Sequence, residues 1–539
     1  MDKKEKYLLF LILICAFIIR MPQLNFPSIG YHNMKENEYI SMAKNMIESR
    51  NYQSREVYFY NAFTDKKDLG LYPQIPFVAY QVLLGYKLFG DNLWFARSVN
   101  IALMLLAIAV FSYLTSIFIK ERLYSVMAAI LLSILPLGVY FSRNLQPESG
   151  AFFFMLLGNY LGIKFIQDFK NKYLYGLAIC ILMVAGYKVP FLFGLAPLAF
   201  IFPYRKYISL RGIKVASREM FILILPFLLL VIYFSAIGQA SFSASWGRVK
   251  FSSIFTVAYW KKYGLDIWDY AKDGNFTFVY LLFFMIGIIK LWWDYKKDRG
   301  LFARYLRAWS AIVIPYFIFF SDYLNQHNYY QMPFLGFVCL TNIYIMRELS
   351  GYIGNYFKLP IKHSFIFAAI FGGVLFISLL ALRHGIDDSF EVIYTGTDEV
   401  GKILKGMTAK EDRFFIYTLA QGYAPCVYAE RKCGWSDSLA EFTMNEQKFG
   451  VKYILIYPYH FINNLSKDIR SYISGSYHIK LAGLILNGNA LTPNVVLLEK
   501  GGVLNIEEFF SNIKNIKLQK VYDTVKGPVP FYILKEEAR

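Results

Sequence analysis

The chain has 539 residues, of which 56% are hydrophobic, 19% aromatic and only 18% charged, with a mean hydropathy of +0.36. A water-soluble globular surface needs more charge than this, so composition excludes the soluble classes and leaves a polytopic α-helical membrane protein. A formal charge of +19 would suggest nucleic acid in a soluble chain. Here the lysines and arginines gather in short connectors between apolar runs, so the expected partners are membrane lipids and no nucleic acid.

In chain order, "MDKKEKYLLFLILICAFIIRMPQL" has the flanks and core of a signal peptide but lacks a small-residue cleavage site, and reads as a first helix. Apolar runs recur to about residue 382, near 7–21, 94–119, 123–141, 149–167, 173–187, 189–204, 219–237, 276–293, 308–321, 331–347 and 363–382. They predict about eleven transmembrane helices in residues 1–382. The basic connectors at 120–122, 170–172, 205–219, 294–307 and 346–363 form one set. The positive-inside rule puts that set and the N-terminus in the cytoplasm of a multi-pass plasma-membrane protein. Residues 22–93, 142–148, 238–275, 322–330 and the chain from 383 onward are then expected outside.

The first outer loop, 22–93, carries "KENEYISMAKNMIES", amphipathic at helical period, and "LYPQIPFVAYQVLLGYKLFG" (71–90), which reads as a helix lying in the interface. Outer juxtamembrane helices are expected there. Residues 383–539 read as a small α/β extracytoplasmic domain. "GTDEVGKILKGM" predicts a helix, "RFFIYT" a strand, "NEQKFGVKYILIYP" a helix end running into a strand, and "NVVLLEKG" and "PFYILKEE" further strands. Cys15, Cys180 and Cys339 fall inside spans, whereas Cys426 and Cys433 fall in the polar tail and can pair if it faces an oxidising compartment.

Ionisable groups at the margin of a span are costly and are functional candidates by default. Four places qualify, all on the expected outer side. Glu36 and Glu38 follow the first apolar run; one carboxylate can act as a general base, or both can be solvated faces of an amphipathic helix. Arg143 and Glu148 lie in "FSRNLQPESG", where Arg143 offers a phosphate clamp. The plainer alternative is a snorkelling Arg and a helix-starting acid after Pro147. Lys188 interrupts an apolar stretch in "LMVAGYKVPFLFG", to meet a phosphate oxygen or to snorkel. "SDYLNQHNYYQMPFLG" brings Asp322, His327, Tyr329 and Tyr330, either hydrogen-bonding equipment for a sugar or phosphate or an interfacial aromatic belt. No Gly-rich phosphate loop, nucleophile elbow, HExxH or CxxC pair competes.

The order of these features resembles a known family. A first span leads into an outer loop with acid-x-x-Tyr-x-x-x-Ala, then "LYPQIP", then Arg-x-x-x-x-acid, Lys-x-Pro, "HNYYQMP" and a soluble tail. This resembles the GT-C glycosyltransferases of the protein mannosyltransferase and aminoarabinose transferase type (glycosyltransferase family 39 and relatives), over nearly all of 1–382. The resemblance implies an inverting transferase. It would move a sugar from a polyprenyl-phosphate donor to an acceptor hydroxyl on a glycan, lipid or protein at the extracytoplasmic face. It makes Glu36 the base, with Glu38 in reserve because Lys35 stands where the family typically has Asp. It maps Glu148 to a second acid, Lys188 to the motif lysine, and His327 and Tyr329 to contact with the donor phosphate. Arg143 and Tyr330 are carried with them as phosphate-binding candidates. No cofactor is required; a divalent metal ion is possible, but no spacing demands one. The alternative from another class is a transporter or flippase of lipid-linked sugars, which would place its ionisable groups near mid-membrane, often in repeats.

Overall fold

The computed structural model describes residues 3–60, 62–64, 74–236, 255–419, 421–511 and 516–536. Residues 71–73 of "LYPQIP", and 237–254 of the expected outer loop 238–275, lie outside the described residues. The chain folds as two compact units. One comprises residues 1–22, 73–75 and 97–389, the other 23–72, 76–96 and 390–539.

The first unit is helical, and each apolar run expected to span is helical where described. Among the described residues, four helices are long and apolar enough to cross a membrane: Trp94–Phe118, Glu148–Asp168, Ile213–Ala236 and His363–Glu391. A fifth arises if Val257–Asn275 and Phe278–Trp293, bent by 114°, count as one span. The shortfall from eleven comes from short and broken helices. Leu135, held extended before Pro136, separates Arg122–Ile134 from Pro136–Phe141, as the ring of proline disfavours helix in the residue before it.

Two further breaks share one form. Lys188 is a single extended residue (φ −162°, ψ 108°) between the helix Asn171–Tyr187 and the 3-10 turn Val189–Gly194. His327 (φ −139°, ψ 105°) stands likewise between Leu301–Gln326 and the 3-10 turn Asn328–Phe334. Each turn contains a proline, Pro190 and Pro333, whose missing N–H and fixed φ oppose a continuous α-helix. Irregular backbone at such depth survives only when protein surrounds it.

The helices Glu148–Asp168 and Asn171–Tyr187 pack closely. Gly150 makes this approach possible, since a Cβ there would sit 2.5 Å from the ring of Tyr187. Gly158 and Gly162 continue the same face against Leu195, Cys180 and Leu198. Small residues at helical spacing let two backbones approach, which is how apolar helices gain packing where lipid offers no hydrophobic driving force.

The second unit is built on a seven-stranded sheet: β1 Arg413–Thr418, β2 Lys432–Gly434, β3 Tyr453–Tyr457, β4 Tyr477–Asn487, β5 Ala490–Lys500, β6 Ile516–Thr524 and β7 Gly527–Lys535. Its order is β2-β1-β3-β5-β4-β7-β6. β1 pairs in parallel with β2 and β3, and the remaining pairs are antiparallel. β3, "YILIY", is buried along its whole length, as a central strand covered on both faces should be. Helices Leu439–Phe449 and Lys467–Ser476 lay Phe442, Ile469 and Ile473 into the core with Phe415, Ile454 and Ile456.

The helices Asn33–Ser49 and Phe77–Phe89 belong to this same unit. Gly30 bridges Ile393, the amide of Cys433 donates to the carbonyl of Tyr58 at 2.8 Å, and Lys44 pairs with Glu430 at 2.7 Å. Cys426 and Cys433 are joined as a disulfide, their Cα atoms 5.8 Å apart.

Candidate active site

In the first unit the turn after Phe141 is held by buried polar side chains. Arg20 is fully buried; its guanidinium donates to the Ser142 hydroxyl (2.8 Å) and to the carbonyls of Ala16, Ser133 and Gly138. The amide of Asn100 donates to the carbonyls of Asn144 and Gln146, at 2.5 and 3.2 Å. Arg143 is buried with its guanidinium carbon 5.7 Å from the centre of the Tyr140 ring. It does not snorkel.

Glu148 opens its helix directly after Pro147, where a carboxylate suits the positive end of the helix dipole. It also forms an ion pair with Lys188 through Oε1, the side chains being 1% and 8% exposed. Glu148 Oε2 is buried with no hydrogen-bond partner among the described residues. The Lys188 ammonium lies 4.2 Å above the ring of Tyr329 and 4.4 Å above that of Tyr330. A buried lysine is thus flanked by a carboxylate and two aromatic faces.

The His327 ring stacks on Tyr329, centroids 5.1 Å apart, and the Phe141 ring packs tilted against Tyr329 at 5.3 Å. The Tyr316 hydroxyl donates to the carbonyl of Tyr330 at 2.6 Å. Asn275 donates to the carbonyl of Asn328 (3.2 Å) and to Gln331 Oε1 (3.0 Å), and Gln331 donates to the carbonyl of Ile267 (2.9 Å). These bonds hold the 3-10 turn that carries both tyrosines. An aromatic belt would leave Tyr329 and Tyr330 at the lipid interface; both are buried instead.

In the second unit Glu36 and Glu38 lie on the helix Asn33–Ser49, which is buried from Glu36 through Ala43. Of the two readings the sequence left open, solvated faces of an amphipathic helix do not form: both carboxylates are buried. Glu38 Oε2 accepts from the Lys35 ammonium (2.6 Å) and the Tyr60 hydroxyl (3.1 Å). Helix and loop are anchored to the tail. The Met34 amide donates to Gln421 Oε1 at 2.9 Å, and the Phe59 ring stacks on Tyr423 at 5.0 Å. At Glu430, burial pushes the carboxyl upward, but the Lys44 and Lys405 ammoniums outweigh it and hold the group below its ordinary range.

The structure therefore brings Glu148, Lys188, His327, Tyr329 and Tyr330 together in the first unit, with Arg143 linked through Tyr140 and Phe141. It gives Glu36 and Glu38 a buried setting in the second. Sequence reasoning missed Arg20, Asn100, Tyr60, Asn275 and Gln331. Only Arg20 carried a signal, a cation at the end of an apolar run, and it read as a flank. Among the described residues, no group of three or more His, Cys, Asp or Glu side chains is placed to hold a metal ion.

Solved structures with the same fold define its class. ArnT from Cupriavidus metallidurans, bound to undecaprenyl phosphate, matches with a TM-score of 0.51 at 12% identity, over 99% of each chain. The oligosaccharyltransferase of Archaeoglobus fulgidus, tethered to an acceptor peptide, gives 0.55 at 12% identity over 90% of this chain and 74% of that one. AglB from the same archaeon, in complex with an inhibitory peptide and a dolichol-phosphate, gives 0.52 at 12% identity over 91% and 74%. The chain thus has the fold of the GT-C membrane glycosyltransferases, with a C-terminal sheet domain. Residues 73–235 match the family described as dolichyl-phosphate-mannose-protein mannosyltransferase. No curated protein sequence matches the chain.

Proposed function

We propose that the protein is a membrane glycosyltransferase that moves a sugar from a polyprenyl-phosphate donor to an acceptor hydroxyl, inverting the anomeric centre, on the extracytoplasmic face. The observation that carries this reading is the buried Lys188 cluster, in a fold whose solved relatives are seen with undecaprenyl phosphate and dolichol-phosphate. A lipid phosphate gains negative charge as the glycosidic bond breaks. Lys188 and Arg143, with His327, are suited to oppose that charge, and in a site shielded from water each such group contributes a few kcal/mol to lowering the barrier (about 3 for one preorganised donor).

The incoming hydroxyl must lose a proton to a carboxylate within hydrogen-bond reach. Glu36 is taken as that base on its place in acid-x-x-Tyr-x-x-x-Ala, and Glu38, which accepts from both Lys35 and Tyr60, as a fixed charge beside it. Single displacement puts base and leaving group on opposite faces of the sugar, by analogy with inverting glycosidases. The Cys426–Cys433 disulfide supports an oxidising, extracytoplasmic setting for the tail, in line with the basic connectors of the opposite side. The acceptor is a glycan, lipid or protein hydroxyl.

The test is sugar transfer by purified protein from a panel of short-chain polyprenyl-phosphate sugars, together with donor hydrolysis when no acceptor is added. Turnover of at least one donor is expected. Inertness toward every donor, in a preparation that is folded, overturns the reading.

A further inference from the structure

The Lys188 ammonium is already neutralised before any substrate arrives, because Glu148 Oε1 occupies it. Two ions so deeply buried attract each other strongly, and removing one partner from a buried pair strands the other. Glu148 is held less completely than Lys188. Its second oxygen is buried without a hydrogen-bond partner among the described residues, whereas the lysine also has the faces of Tyr329 and Tyr330. The carboxylate occupies the place on Lys188 that an anionic oxygen of a ligand would take.

Resting on the transferase reading above, we infer that Glu148 is an internal stand-in for the donor phosphate. It is the partner of Lys188 in the empty protein and is exchanged for a phosphate oxygen when the lipid phosphate binds. Glu148 then acts as a positioning residue that tunes donor affinity, and is not the base. The exchange breaks one ammonium–carboxylate contact and makes one ammonium–phosphate contact, so Lys188 stays paired throughout. Tyr329 and Tyr330, held by the Tyr316 and Asn275 hydrogen bonds, keep the ammonium in place while its anionic partner changes. A further consequence concerns product release. The spent lipid phosphate leaves as Glu148 returns to Lys188, so the pair lowers affinity for product as well as for donor.

Equilibrium binding of a short-chain polyprenyl phosphate to the full-length purified protein tests this. Glu148→Gln, which removes the internal competitor, is expected to bind the lipid phosphate at least about tenfold more tightly than wild type. Glu148→Asp keeps the charge on a shorter arm, and its affinity should fall between the two even if the glutamine variant proves too unstable to measure. In a Lys188→Gln background the Glu148 substitutions should change nothing. Binding by Glu148→Gln or Glu148→Asp that is unchanged or weaker, or a gain that persists without Lys188, overturns the exchange. The two claims separate cleanly: wild-type protein that binds and turns over the donor keeps the transferase reading whatever Glu148 does, and wild-type protein that does neither removes both.

Discussion

At the residue scale, the two acids that follow the first apolar run stand two positions apart and both are buried. Glu38 is tied to Lys35 and Tyr60, while Glu36 is the proposed base. Glu36→Gln should lower the rate of transfer about 10²- to 10⁴-fold, the usual worth of a positioned general base, with little effect on donor affinity. Tyr60→Phe removes one hydrogen bond to Glu38 and should cost far less. Steady-state kinetics on both variants checks the order; equal losses would contradict it. Glu36, Lys188 and His327 stood out in the sequence as candidates because a charge or an imidazole at the edge of an apolar run is costly, although a solvated helix face or snorkelling accounted for the charges as well. Tyr60 and Asn275 did not, because a tyrosine and an asparagine in polar connectors look like any others. The Glu148–Lys188 pair was not legible either, since forty residues separate its members and their meeting depends on how two helices pack.

At the element scale, that meeting rests on Gly150. A methyl group there would collide with the Tyr187 ring, one residue from Lys188, on the helix that Glu148 opens. Gly150→Ala should therefore force the two helices apart, loosen the ion pair and weaken lipid-phosphate binding. Overpacked cores typically lose about 1–3 kcal/mol, which thermal unfolding of the detergent-solubilised protein would register. Asn275→Leu should act differently. It frees the 3-10 turn Asn328–Phe334 without touching Lys188, so affinity for donor is expected to fall more than overall stability. The sequence revealed the apolar helices and the strands β1, β3, β5 and β7, but not β2, β4 or β6. β2 is only three residues long, too short to show an alternation, while β4 and β6 carry register shifts, between Ile479 and Leu481, between Gly483 and Leu484, and between Leu518 and Lys520. Each shift turns the side chains out of strict alternation and erases the period-two pattern by which a strand is read.

At the scale of the whole molecule, the first outer loop and the tail form one unit, so the tail's stability governs the helix that carries Glu36 and Glu38. The disulfide closes a short loop, and chain entropy gives such a closure about 2–3 kcal/mol. Cys426→Ser should lower the unfolding temperature of this unit and, through the Tyr58 and Lys44 contacts, reduce transfer. The unit should also fail in acid. At Glu399 burial raises the carboxyl, but hydrogen bonds from Lys402 and Gln519 and the charges of Lys402 and Lys520 outweigh it and bring it down to about 2. Glu430 is shifted the same way. Groups lowered on folding stabilise fully above their unfolded values, near 4.5, and that contribution is lost as pH falls through the folded values. Unfolding followed from pH 6 to pH 2 should show progressive loss below about 4.5, and Glu399→Gln should flatten the decline.

These scales meet in one claim: a buried ammonium and a buried carboxylate together allow a sugar to leave a lipid phosphate. Its most direct measurement is transfer from a radiolabelled short-chain polyprenyl-phosphate sugar by purified wild-type, Lys188→Met and Glu36→Gln proteins, each verified as folded. The account predicts turnover by wild type and a loss of at least about 10²-fold in each variant. Undiminished transfer by Lys188→Met, or none by wild type with any donor, would contradict it.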